Sequence, residues 1–230
     1  MAKFKKADNC INCPYQSKHF DFLSIEEKQQ IQDNCLIVNF KKGENICKQD
    51  LTVTHSLYLS KGLVKVFIET EKKNTILRIA SSGEYIGLQS IFGEGSYRFS
   101  ITALEPSRIC LIDIKYFKEL CTSNPHFLMS ITESISKCTN NIFSRLTFLN
   151  QKSVRARLAT ALVFFADEIY RSDTFVFSMS RQDLADYIGI SRENAVRILG
   201  DFKKEKLISV SGKNITISNK QLLQAVQKIG

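Results

Sequence analysis

No stretch of this 230-residue chain stays apolar for the roughly 20 residues that a membrane helix needs. Its first residues, MAKFKKADNC, carry no hydrophobic run of the kind that directs secretion. The expectation is a chain that works in the cytoplasm, away from membranes. Histidine is scarce: His19, His55 and His126 are all there are. No Ser-His-Asp order, no carboxylate pair in a glycine-rich cleft and no phosphate loop accompanies them, so the sequence does not describe an enzyme. His55 opens a strand-like run and His126 follows a helix-start proline, which gives both structural roles. The seven cysteines are odd in number, and a cytoplasmic setting argues against a disulfide framework. Cys35, Cys47, Cys121 and Cys138 fall in apolar or amphipathic patterns and take the role of small core residues. Cys10 and Cys13 stand apart. Their C-x2-C spacing lets two thiolates reach one metal, and the βαβ context of a thioredoxin-type pair is missing.

What is present is a normal core and an uneven positive charge. Hydrophobic residues make up 43% of the chain, enough for one large or two modest domains. The net charge is +9; residues 140–230 hold 14 Lys and Arg against 8 Asp and Glu, a net of +6 in the last two fifths. A polyanion partner is expected there, bound less well as salt rises.

The stretch Ser178 to Ile217 accounts for that partner. Ser180 is placed to cap a first helix, with Asp183 at its third position, and Gly189 to end it. Ser191 caps a second helix that runs to about Lys206. Ala195, Ile198, Leu199 and Phe202 form a buried stripe on it. Arg192, Glu193, Val196 and Arg197 fall on the other side, where Arg can fork onto guanine, Glu can accept from cytosine and Val can meet a thymine methyl. Ile208 and Val210, then Ile215 and Ile217, alternate as a two-stranded ribbon around a polar turn that contains Lys213. Together these predict a winged helix-turn-helix on double-stranded DNA.

Upstream, residues 1–23 read as an irregular lead segment and 24–34 as a helix with a Ser24/Glu27 capping box. Between Cys35 and Ile114 strand-like runs (LIVNF, HSLYLS, LVKVFIE, TILRIA, YIG, FSITAL, RICLIDI) alternate with glycine turns, which predicts a jelly-roll or sandwich. A short helix at 115–122 follows, then a long helix from Phe127 to about Leu149. Its stripe Ile131, Ile135, Cys138, Ile142, Leu149, interrupted by Arg145, suits a seam between two subunits. A hinge is expected at Asn150–Ser153, and VRARLATALVFFADEIY opens the last domain as a helix. The fold class is α+β, with a lead segment at 1–23, a sensory β-barrel at 24–122, a dimerisation helix and hinge at 123–152 and a winged helix at 153–230.

The segment ISRENAVRIL resembles the recognition helix of the CRP/FNR family of bacterial transcription regulators, with Arg192, Glu193 and Arg197 on its base-reading positions. In order, Gly43, Gly62, Gly83 and Gly87 resemble the turn glycines of that family's cyclic-nucleotide-binding barrel, so the resemblance covers nearly the whole chain. It implies a homodimer on a palindromic operator, switched at the N-terminal domain, with RNA polymerase as a further partner. In the CRP-like pocket a Glu after the turn glycine holds the ribose and an Arg-Ser pair holds the cyclic phosphate. Here Leu88 follows Gly87, and Arg98 is followed by Phe99, which argues against cyclic AMP. Arg98 then pairs with Glu84 or Glu94 or holds some other anion, the ion pair being the first choice. The FNR branch carries Cys-x2-Cys-x5-Cys plus a distant Cys around an iron–sulfur cluster. Cys10, Cys13 and Cys110 match three of these, and His19 stands at the fourth position. A His can ligate a cluster iron or join three thiolates on zinc, the cluster being the first choice; Cys35 is an alternative donor, and an empty thiol pair is a further reading. Another functional class remains: a redox or metal sensor acting through a protein partner.

Overall fold

The computed structural model describes residues 4–7, 10–71 and 73–228. The chain forms two compact units, one gathering residues up to Glu69 with Leu77–Asn141, the other Thr70–Ile76 with residues from Ile142 onward. Up to Ser123 the elements are β1 (Phe4–Lys6), α1 (Ile25–Asp33), β2 (Cys35–Phe40), β3 (Asn45–Cys47), β4 (His55–Lys61), β5 (Leu63–Ile68), β6 (Thr75–Ser81), β7 (Glu84–Ile86), α2 (Leu88–Phe92), β8 (Ser100–Ala103), β9 (Ser107–Asp113) and α3 (Ile114–Ser123). They build two sheets, ordered β1-β2-β9-β4-β7 and β3-β8-β5-β6. Leu59, Val64, Ile101 and Ile109 lie in the core they share. The predicted β runs all become strands. The YIG run, however, stops at Ile86, because Gly87 turns left-handed and starts α2.

Ser24 caps α1 as the sequence predicts: its hydroxyl accepts from the Glu27 amide and the Glu27 carboxylate accepts from the Ser24 amide at 2.8 Å. The four turn glycines all have positive φ. At Gly62 the need is steric as well, since a Cβ would collide with Ser107 and stand 2.8 Å from the Pro106 carbonyl oxygen. The lead segment is more regular than expected. It contains β1, paired with β2, and a 3-10 turn at Lys18–Phe22 capped by Ser17.

The long helix α4 (Pro125–Gln151) has 27 residues and so runs about 40 Å. Of its stripe, Ile131 is buried, whereas Ile135, Cys138, Ile142 and Leu149 are only half-buried. Met129, Phe143 and Leu146 are exposed. Ser153 caps α5 (Val154–Phe164), which loosens into a π turn at Phe165–Tyr170. The last unit continues with β10 (Thr174–Val176), α6 (Arg181–Ile188), α7 (Arg192–Lys204), β11 (Ile208–Ser211), β12 (Asn214–Ile217) and α8 (Lys220–Lys228). The ribbon is thus one part of a three-stranded sheet, β10-β12-β11. Leu158, Leu162, Phe165, Phe177, Leu184 and Phe202 are buried in this unit.

Candidate nucleic-acid interface and sensory site

Ser180 and Asp183 form a reciprocal capping box at the start of α6, and Gly189 ends the helix at φ 74°. The turn to α7 is closed by Ser191, whose hydroxyl accepts from the Asn194 amide at 3.2 Å. These caps fix how α7 emerges. Its back is dry, with Ala195, Ile198, Leu199 and Phe202 all buried. Its front is wet: Arg192, Glu193, Asn194, Val196 and Arg197 are exposed, Val196 at 48%. An apolar side chain left half in water on a charged face has a natural neighbour in a base methyl group. Glu193 sits in the first turn, where amides at the helix start and the Ser191 hydroxyl lower its pKa, so it stays ionised. Arg197 forms an exposed ion pair with Asp201 at 3.3 Å, one turn on. That pair is weak enough in water to yield to a base or phosphate.

Three supporting contacts lay outside the sequence reading. Arg181 donates to the Gly212 carbonyl at 3.2 Å and so ties the start of α6 to the turn that presents the exposed Lys213. Arg157 donates to the Ile188 carbonyl at 2.7 Å, and Arg145 donates to that of Tyr187. Two cations thus satisfy carbonyls at the C-terminal end of α6, the end that favours positive charge. Arg145 also lies over the rings of Phe148 and Tyr187, and burial pulls its pKa down to about 10. The one sequence signal for this role is the break Arg145 makes in the apolar stripe of α4.

The chain matches the Crp-like helix-turn-helix domain over residues 156–226 and the cyclic nucleotide-binding domain over residues 37–124. It is 32% identical over 165 residues to the cAMP-activated global transcriptional regulator CRP of Pasteurella multocida, covering 70% of this chain and 79% of that one. The chain belongs to the CRP/FNR family of transcription regulators. The fumarate and nitrate reduction regulatory protein of Vibrio cholerae is 28% identical over 218 residues, 91% of this chain and 83% of that one. Solved structures share the fold: a crp/fnr-family regulator from Eubacterium rectale superposes with a TM-score of 0.78 at 20% identity, covering 92% of this chain and 98% of that chain. FixK2 from Bradyrhizobium japonicum gives 0.76 at 18% identity, covering 85% and 98%. This CRP/FNR chain is therefore a DNA-binding transcription regulator with an N-terminal sensory domain, not an enzyme. None of its described helices is long and apolar enough to cross a membrane.

In the sensory domain, the stretch matching the nucleotide pocket is packed with its own side chains. Leu88 and Phe99 are buried, and a Cβ on Gly87 would lie 3.2 Å from both Phe99 and Tyr97. Tyr97 and Phe99 also pack on each other, ring centroids 5.8 Å apart. Arg98 points outward, paired with Glu94 and 4.0 Å from Asp50. Glu84, the other partner considered, instead binds Arg78.

The cysteines arrange themselves differently from the sequence match. His19 is buried with both ring nitrogens in use, Nδ1 at 3.0 Å from Ser130 Oγ and Nε2 at 3.1 Å from Ser134 Oγ. Cys35, assigned to the core, has its thiol in hydrogen-bonding contact with the thiols of Cys10 and Cys110. Contact with Cys35, with help from Ser60 and Arg108, pushes the Cys110 thiol down to about 7. The Cys35 thiol shifts upward, because those same contacts and burial favour its protonated form. Cys13 lies close enough to Tyr58 to affect its phenol, as Cys110 does. As the side chains stand, no three His, Cys, Asp or Glu groups among the described residues are set to hold a metal ion. Cys35 thus gathers two of the matched cysteines, Cys10 and Cys110, whereas His19, with both ring nitrogens bonded, offers no free donor.

Proposed function

We propose that this regulator works as a homodimer on a palindromic operator, each copy reading a half-site through Arg192, Glu193, Val196 and Arg197. The single observation that carries the reading is α7 itself, capped by Ser191, dry on Ala195, Ile198, Leu199 and Phe202, and charged on the opposite face. Arg192 and Arg197 suit guanine acceptors, Glu193 suits a cytosine amine and Val196 a thymine methyl. Ser180 and Ser191 lie exposed at the helix starts, where amides and hydroxyls meet phosphate, and Lys213 on the wing turn adds a backbone contact. The apolar side chains exposed on α4, with half-buried Ile135, Ile142 and Leu149, supply a seam for the second copy. The signal acts as a population shift about the break between α4 and α5, setting whether two recognition helices reach grooves one turn apart. RNA polymerase is the downstream partner.

Cyclic AMP is not that signal. Leu88 offers no ribose acceptor, and buried Phe99 can neither donate to a cyclic phosphate nor make room for one. A redox or metal signal at the cysteines is favoured by the contact of Cys35 with Cys10 and Cys110. The DNA reading is tested with Arg197→Ala. On a selected operator this variant loses about 1–3 kcal/mol per half-site, with a much smaller loss on scrambled DNA. Equal affinity of variant and wild type for the operator, measured by fluorescence anisotropy, contradicts the assignment.

A further inference from the structure

The 3-10 turn at Lys18–Phe22 is tied to α4 at both of its ends. At the far end Asn124 donates its side-chain amide to the Phe22 carbonyl at 3.0 Å, while its side-chain oxygen accepts from the Phe127 amide at 3.0 Å and so caps the start of α4. At the near end His19 spans a full turn of the helix, with Nδ1 at 3.0 Å from Ser130 Oγ and Nε2 at 3.1 Å from Ser134 Oγ. The residue is 3% exposed, and its ring packs beside Tyr85 with centroids 5.5 Å apart.

Two bonds from one rigid ring to residues four apart do more than hold a segment down. They fix the rotation of the helix, since turning α4 about its axis by about 30° carries each hydroxyl roughly 2 Å, out of hydrogen-bond reach. Cys138 is next on the same four-residue ridge, and Ile131 and Ile135 form the ridge beside it. The ring that holds the lead segment therefore also aims the apolar stripe.

His19 stands where the FNR branch has a cluster thiolate, and the residues present do not fit such a centre. Either ring nitrogen would have to leave a serine to reach a metal, and a bond given up at a buried position has no ready replacement. Among the described residues no three His, Cys, Asp or Glu groups are set to hold a metal ion. We propose that His19 is instead a metal-independent fastener, a positioning residue that pins the lead segment to α4 and sets the rotation at which the helix presents Ile135 and Cys138 to a second copy. A signal at the cysteines then acts on a segment already fastened. The consequence for dimerisation rests on the homodimer reading; the pin itself does not.

The test compares full-length wild type held in air with a chelator against wild type prepared without air and supplied with zinc, or with ferrous iron and sulfide. Sedimentation gives the dimer dissociation constant, and hydrogen exchange gives the protection of residues 128–138. The constant is expected to be the same in all three preparations. His19→Ala is expected to weaken the dimer about tenfold and to speed exchange at residues 128–138. His19→Gln, which keeps one donor and one acceptor, recovers most of both. A wild type that is monomeric with chelator and dimeric only with metal overturns the proposal. So does a His19→Ala chain that has a lower melting temperature but the wild-type dimer constant and exchange. A wild type that stays monomeric in every preparation removes the homodimer reading, and exchange alone then decides the pin: unchanged protection in His19→Ala overturns it, and faster exchange supports it.

Discussion

Single side chains carry the chemistry of this molecule, and His19 shows how distant contacts set it. Ser130 donates its hydroxyl to the Phe127 carbonyl at 2.7 Å, so it can only accept from His19 Nδ1–H. Nε2 is then the acceptor for Ser134, and the ring is neutral. Burial, followed by the charge of Lys18, lowers its pKa from 6.5 to about 4. Between those values the unfolded chain holds a proton that the folded chain lacks, so this contribution to stability is full above about pH 6.5 and is lost as pH falls toward 4. Denaturant unfolding of wild type and His19→Asn at pH 7, 5.5 and 4.5 is expected to show a steeper loss in wild type; parallel losses contradict it. None of this was legible in the sequence, because Ser130 and Ser134 lie more than 100 residues from His19. The sequence offers Cys35 only as an alternative donor, with nothing in its spacing to favour it. Its apolar surroundings, NCLIVNF, describe a core residue, and it takes the register of β2 against β9, with Cys35 opposite Ile112 and Ile37 opposite Cys110, to put Cys110 diagonally on the same face.

Elements were legible where their signals are local. Ser24 with Glu27, Ser180 with Asp183, Gly189 and Ser191 each declare a helix end within four residues, and each forms the expected cap. The apolar stripe of α7 was equally plain, since burial of one helix face is written at fixed spacing. β1, β3 and β10 were missed because three residues carry too little alternation, and their partners come from elsewhere in the chain. Thr174–Val176, for example, pairs with Asn214–Thr216. Where an end is local, its energetics are too. Ser191→Ala removes the acceptor for the Asn194 amide and is expected to cost about 1 kcal/mol of stability, whereas Ser191→Gly costs only a few tenths. Thermal or denaturant unfolding of the two variants reads this difference, and equal effects would contradict the cap.

At the scale of the whole molecule, charge and symmetry have to agree. The +6 on residues 140–230, out of +9 overall, suits a polyanion, but charge alone gives no sequence preference. On the proposed reading preference comes from the exposed face of α7, and the apolar side chains left uncovered on α4 argue for two copies of it. The measurement that tests this most directly is site selection from random duplex DNA with the purified full-length protein. The account predicts an enriched two-fold symmetric sequence whose half-sites are centred about 10 base pairs, ~34 Å, apart. Enrichment of a single asymmetric half-site, or none above the starting pool, would contradict it.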